Sequence, residues 1–272
     1  MDLLDETKLL LRRHRIFPKK RLGQHFTVDF SLFERMTECA ALSNVDVVLD
    51  VGAGLGFLTR FMAQRCRGVL AVELDSRIVA VLRFLLKDLP NVVIVEGDVL
   101  KVKLPPFNKV VSIPPYGISS QLIQWLFKKP LDCAVLVLQK EFAHKLAASV
   151  GSENYGWLTV LTYYHFDVEL LDEVPRSAFF PPPEVNSQIV LLKPRRIPPF
   201  RVENEEGFKR LVQVLFTQRN RKVKNAVRVY FKREAVSASR NLCIDDSIPF
   251  KDRRVRELAP EDFGVLANVL IR

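Results

Sequence analysis

Asp46-Val-Val-Leu-Asp50-Val-Gly52-Ala-Gly54-Leu-Gly56 is the stretch on which the fold turns. A short apolar run ends in an acid and breaks into alternating glycines. Positions 57–67 then carry Phe57, Phe61 and Met62 at helical spacing. Strand, tight turn and helix open an α/β unit. The same alternation continues on the C-terminal side. Residues 68–73 read as a second strand, 77–89 as a helix stopped by Pro90, and 91–96, 109–112 and 133–139 as further strands. Repeated in this way, the pattern predicts a mostly parallel sheet covered on both faces. The candidates at 166–173 and 188–193 have no helix between them and are expected to close the sheet antiparallel.

The glycines set the chemistry. They allow a tight turn and let the backbone approach a ligand closely. Glu73 ends the next strand 23 residues after Asp50, where a carboxylate can accept both ribose hydroxyls of an adenosine-containing cofactor. The spacing GxGxG is not the GxGxxG of dinucleotide binders, and no Lys-Ser/Thr pair follows it. Missing phosphate machinery favours S-adenosyl-L-methionine, which carries ribose and adenine but no phosphate. Gly97-Asp98 ends the third strand and adds a polar acceptor on the same sheet edge.

With 272 residues, the chain fits about two domains at roughly 150 residues each. Its composition, 48% hydrophobic and 26% charged, excludes disordered and collagen-like classes. No apolar run is long enough to span a bilayer, and MDLLDETKLLLRRHR is not built as a secretory signal. Cys39, Cys66, Cys133 and Cys243 and the four histidines are dispersed, so reduced cysteines, a cytoplasmic location and no metal site are expected. The net charge of +10 is uneven. Residues 1–21 hold seven bases and three acids, 22–192 fifteen and eighteen, and 193–272 nineteen and ten. Basic ends flanking an acidic middle suit a polyanion, nucleic acid more than membrane. The domains are therefore expected as a basic N-terminal segment at 1–21, a catalytic domain at 22–193 and a small helical RNA-binding domain at 194–272. In the last, 205–216, 219–231 and 260–270 read as helices.

From about Pro18 to the C-terminus the chain resembles the small-subunit ribosomal RNA adenine dimethyltransferases. Six stretches carry the resemblance in order. They are Lys20-Arg-Leu-Gly-Gln24-His25-Phe26; the set of 50–56, Glu73 and Asp98; Leu138-Gln-Lys-Glu-Phe-Ala143; Tyr155-Gly-Trp-Leu-Thr; the proline-rich 174–187; and Phe216-Thr-Gln-Arg219-Asn-Arg-Lys222-Val-Lys-Asn225. The resemblance implies a Rossmann-like methyltransferase sheet with a small C-terminal helical domain. It also implies S-adenosyl-L-methionine held by Gln24, His25, Phe26, Gly52, Gly54, Gly56, Glu73, Leu74, Asp98, Val99 and Ile113. The implied reaction is dimethylation of two adjacent adenines at N6, on the immature small subunit during assembly, by a monomer. Tyr116 and Phe179 would stack on the two faces of a flipped adenine. Arg219, Arg221, Lys222 and Lys224, with Arg12, Arg13, Arg15, Lys19, Lys20 and Arg21 at the other end, would grip phosphates.

One motif departs from the family. Its catalytic strand end is Asn-(Leu/Ile)-Pro-(Tyr/Phe), whereas Ser112-Ile113-Pro114-Pro115-Tyr116 puts isoleucine at the asparagine position. An adenine amino lone pair is delocalised into the ring and nucleophiles of that kind need alignment. The asparagine oxygen and the next carbonyl would bind the amino hydrogens; Ile113 removes the first and the Pro114 carbonyl keeps the second. Loss of one such contact costs on the order of 100-fold in rate. Ile113 motivates an alternative of another class, an assembly or RNA-binding factor of the same fold with weakened catalysis. A third reading is methylation of another RNA or of DNA. The Ser112 hydroxyl should point to the opposite face of the strand from residue 113.

Overall fold

A computed structural model describes residues 2–19, 22–233 and 248–271. Lys20, Arg21 and Cys243 lie outside them. The first element is a helix, α1 (Leu3–Arg13), where the sequence suggested only a basic segment. Asp2 caps it by accepting from the Asp5 amide, and Leu10 and Leu11 are buried. Leu3, Leu10 and Leu11, with the buried Thr7, supply the helical stripe; Arg12, Arg13 and Arg15 remain exposed.

The elements that follow are β1 (Phe26–Thr27), α2 (Phe30–Cys39), β2 (Val47–Val51), α3 (Phe57–Ala63), β3 (Gly68–Glu73), α4 (Ser76–Leu85), β4 (Val92–Glu96), β5 (Lys109–Ser112), α5 (Ser119–Leu126), β6 (Cys133–Gln139), α6 (Lys140–Leu146), α7 (Trp157–His165), β7 (Phe166–Val174), β8 (Phe179–Phe180) and β9 (Ser187–Pro194). Among the described residues, seven strands form one sheet in the order β4-β3-β2-β5-β6-β9-β7. The pairs from β4 to β6 are parallel and β9 joins β6 antiparallel, as the missing helix before it implied. Central strands are apolar on both faces because both are covered: Val48, Leu49, Val110, Val111 and every residue of 134–138 are buried. The chain runs from β2 to β4 on one side and from β5 to β6 on the other. The order therefore reverses between β2 and β5, and the turns at their carboxyl ends splay apart to leave a crevice.

Two compact units result: Met1–Ala143 with Val168–Pro194, and His144–Asp167 with Arg195–Arg272. Segment 144–167, which the sequence placed in the catalytic domain, thus groups with the C-terminal helices α8 (Glu205–Phe216), α9 (Val223–Arg233) and α10 (Pro260–Leu270). Side-chain contacts explain the grouping. The Tyr155 hydroxyl donates to the Leu258 carbonyl at 2.8 Å, Tyr163 to Glu261 at 2.8 Å, and the Tyr164 ring packs on Phe200 and Phe208. Helix α9 begins at Val223, four residues later than the sequence suggested. The preceding turn is held open by a bridge between Lys222 and Arg254 and by the Val223 amide donating to the Arg253 carbonyl. No helix among the described residues is long and apolar enough to cross a membrane.

Candidate active site

A cleft of about 600 Å³ opens at the carboxyl ends of β2, β3, β4, β5 and β6. The sequence-predicted Gln24, His25, Phe26, Gly52, Gly54, Glu73, Leu74, Asp98, Val99, Ile113, Pro115 and Tyr116 all line it. Gly56 and the buried Pro114 stand behind the wall.

Its floor is the turn after β2. Gly52, Gly54 and Gly56 have φ of 74°, 57° and 80°, a region that side chains disfavour. A Cβ at 52 would come 2.7 Å from Pro115 Cδ, and one at 56 would come 2.5 Å from Leu82 Cδ1. The turn is locked by Glu73, whose carboxylate accepts from the amides of Gly54 (3.0 Å), Leu74 (2.8 Å) and Asp75 (2.9 Å). Burial raises the Glu73 pKa against the lowering effect of these bonds.

Behind the turn, Asp50 is 2% exposed and accepts from the Thr59 hydroxyl at 2.7 Å, tying β2 to α3. Burial pushes its pKa up to about 7. A carboxyl raised this way binds more protons folded than unfolded, so its contribution to stability falls as pH rises between about 4 and 7. Asp50→Asn keeps an acceptor for Thr59 and cannot titrate. Its thermal midpoint should therefore gain on that of the wild type from pH 5 to pH 8, by a difference worth on the order of 3 kcal/mol. Parallel midpoint profiles for the two proteins would contradict this.

The rim is built from the N-terminal motif. Gln24 accepts from the Lys19 amide at 2.8 Å and donates to Asp75 at 3.1 Å. Asp75 is held well below the usual carboxylate range, first by its bond from Arg77. His25 Nδ1 lies 2.7 Å from the Pro181 carbonyl, so Nδ1 carries the proton and donates. Its ring faces that of Tyr116 at 5.9 Å and 27°. The Tyr116 hydroxyl is pinned to Ser187 Oγ at 2.6 Å. The Ser112 hydroxyl donates to the Val51 carbonyl and accepts from the Val51 amide, so it is fully committed away from the cleft, on the side expected for it.

Phe179 is a correction. It is 3% exposed, packs in the core with Phe26, Phe33 and Val174, and lines no part of the cleft. The cause is the pairing of β8 with β1, which sets Phe179 opposite Thr27 and turns its ring inward. The four basic residues expected on one helix also separate. The Arg219 guanidinium donates to the Ser152 and Glu153 carbonyls, Lys222 and Lys224 each lie 3.2 Å from Asp252, and only Lys224 belongs to α9. The exposed Arg221 side chain has no partner among the described residues.

Sequence reading missed Leu100, Ile118 and Gln139 as lining residues. Gln139 ends β6, and the position of ligands at strand carboxyl ends was a signal that could have found it. Among the described residues the lining holds two carboxylates and no lysine or arginine. Such a wall suits a cationic, phosphate-free ligand and opposes a nucleoside phosphate. Glu73 and Asp98 with the glycine turn therefore fit S-adenosyl-L-methionine.

Residues 17–261 match the family described as ribosomal RNA adenine dimethylase. The chain is 38% identical over 250 residues to a probable ribosomal RNA small subunit methyltransferase A of Methanosarcina acetivorans, covering 91% of each chain. It is similar to a solved dimethyladenosine transferase from Plasmodium falciparum, with TM-score 0.74 and 28% identity over 88% of this chain and 94% of that one. It is also similar to the 23S rRNA methyltransferase ErmE, with TM-score 0.65 and 31% identity over 91% and 100%.

Proposed function

Because this chain belongs to the ribosomal RNA adenine dimethylase family, we propose that it dimethylates N6 of two adjacent adenines in small-subunit rRNA, using S-adenosyl-L-methionine. The observation that carries this reading is the cleft itself, where a glycine turn, two carboxylates and an aromatic ring meet at the switch point of the sheet. When bound there, the cofactor supplies an electrophilic methyl group on a sulfonium, a good leaving group that needs no acid catalyst. What remains for the protein is alignment. Glu73 accepts the ribose hydroxyls, Asp98 takes the adenine amino group of the cofactor, and the Gln24-His25-Phe26 rim covers it. Pro115 sets Tyr116 beside the turn, and its ring carries the target base. Phe179, where it stands, supports the loop from the core. The alternative of a factor without transfer is not favoured, since the relatives bear methyltransferase names and Glu73, Asp98, Pro115 and Tyr116 all line the cleft beside residue 113. Incubation with small subunits and labelled cofactor tests the reading. Mass analysis should show dimethyladenine in the rRNA, and unlabelled rRNA at saturating cofactor would sink it.

We further infer that the chain acts as a monomer in the cytoplasm, on immature small subunits during ribosome assembly, and that its basic ends grip rRNA phosphates. The uneven charge supports the phosphate contacts. Binding should weaken steeply with salt, and Arg221→Glu should reduce the logarithmic salt slope by about one or more. Lys222 and Lys224 are half-neutralised by Asp252, so Asp252→Asn is expected to strengthen binding. Equal affinities across this pair of variants and wild type would remove the surface from the interface.

A further inference from the structure

Six side chains lining the cleft can form hydrogen bonds: Gln24, His25, Glu73, Asp98, Tyr116 and Gln139. Five are already engaged. Gln24 holds Asp75, His25 holds the Pro181 carbonyl, Glu73 accepts three amides, Asp98 accepts from the Leu100 amide and pairs with Lys101, and Tyr116 meets Ser187. The half-buried Gln139 carboxamide has no side-chain partner among the described residues. A carboxamide brings two donors and an acceptor, and leaving them unmet in a ligand-filled cleft is costly.

Strand register places this group. Gln139 is directly opposite Ser187 in the antiparallel pair of β6 and β9, so both side chains leave the same face of the sheet. Ser187 is the residue that pins the Tyr116 hydroxyl. Gln139 alternates with Val135 and Val137, which share one core cluster with Val111 and Ile113. It therefore projects to the same side as residue 113. With Ser112 opposite Leu136, Gln139 stands two residues beyond the position that faces Ile113. That diagonal is within reach of a long side chain.

We propose that Gln139 is a catalytic residue whose Oε1 accepts an N–H of the target adenine amino group, supplying the acceptor that Ile113 lacks. The assignment rests on the adenine-N6 reading above. During transfer the amino nitrogen gains the methyl carbon, the carbon–sulfur electron pair leaves with sulfur, and the nitrogen sheds one proton to water. An acceptor on the N–H fixes the nitrogen toward the methyl group and steadies the positive charge that develops on it. The same carboxamide can donate from Nε2 to a neighbouring ring nitrogen, a two-point match that adenine offers and uracil does not.

The test compares wild type, Gln139→Leu, Gln139→Glu and Gln139→Leu/Ile113→Asn. Each is measured by single-turnover methyl transfer to immature small subunits and by calorimetric affinity for S-adenosyl-L-methionine. Gln139→Leu should slow transfer about 100-fold at unchanged cofactor affinity. Gln139→Glu, which keeps an acceptor of the same shape, should slow it less. Adding Ile113→Asn should speed Gln139→Leu more than it speeds wild type. Full activity in Gln139→Leu, a matching loss of cofactor affinity, or failure of Ile113→Asn to rescue would overturn the assignment alone. No transfer by wild type would overturn the reading on which it rests.

Discussion

Tyr116→Ala is expected to slow single-turnover methyl transfer by about 100-fold, with little change in cofactor affinity. On the proposed reading, stacking on the ring would hold the base in the cleft, and the ring is itself held at both ends. Pro115 abuts the glycine turn and Ser187 pins the hydroxyl at 2.6 Å. Tyr116→Phe keeps the stacking face and loses only the pin, so it should fall between wild type and alanine. Burial raises the phenol pKa, and the hydroxyl therefore stays protonated through the neutral range. No inflection in the rate near neutral pH should come from this residue. Transfer by Tyr116→Ala at the wild-type rate would deny the ring its role as the platform for the base.

Glu73→Ala is expected to weaken binding of S-adenosyl-L-methionine by about 10- to 100-fold, because on the proposed reading two ribose hydroxyls would lose a charged acceptor. The loss is compounded inside the protein. Three amides, those of Gly54, Leu74 and Asp75, lose the carboxylate that now organises the turn. Thermal midpoint should fall along with affinity. Glu73→Gln separates the two effects, since it preserves shape and offers one acceptor oxygen. The raised pKa fixes the sign of the pH dependence: protonation turns an acceptor into a donor, so affinity should decline as pH drops through that value. Calorimetry giving equal affinity for wild type and Glu73→Ala would take the ribose away from this residue.

Much of this arrangement is legible in the chain because the central strands are continuous apolar runs with turn signals at both ends. Strands β3, β5 and β6 and helices α8 and α10 lie where such signals put them. The glycine turn and Glu73 could be read for the same reason, since local backbone requirements leave a mark on local sequence. What escaped depends on partners distant in the chain. Helix α1 was hidden by its charges, although the stripe through Leu10 and Leu11 was present. Phe179 faces inward only because β8 finds β1, some 150 residues earlier. The start of α9 is set by Arg253 and Arg254 from beyond the helix. Gln139 is marked in the sequence only by its place at a strand end, and its register against Ser187 is what shows which face its side chain leaves.

The 2.7 Å approach that a Cβ at position 52 would make to Pro115 has a consequence for how such a protein can change over generations. The glycine turn and the loop that carries Tyr116 touch there, across a border one methyl group wide. A lineage that exchanges Gly52 would have to surrender the proline, and with it the posture of Tyr116, and would still carry a strained φ at that position. Pro115 could be exchanged first, but only at the expense of base placement. Gly52 is therefore held twice, by the proline ring and by a φ of 74° that disfavours any side chain, and a screen that randomises position 52 should return glycine almost alone even when Pro115 is varied with it.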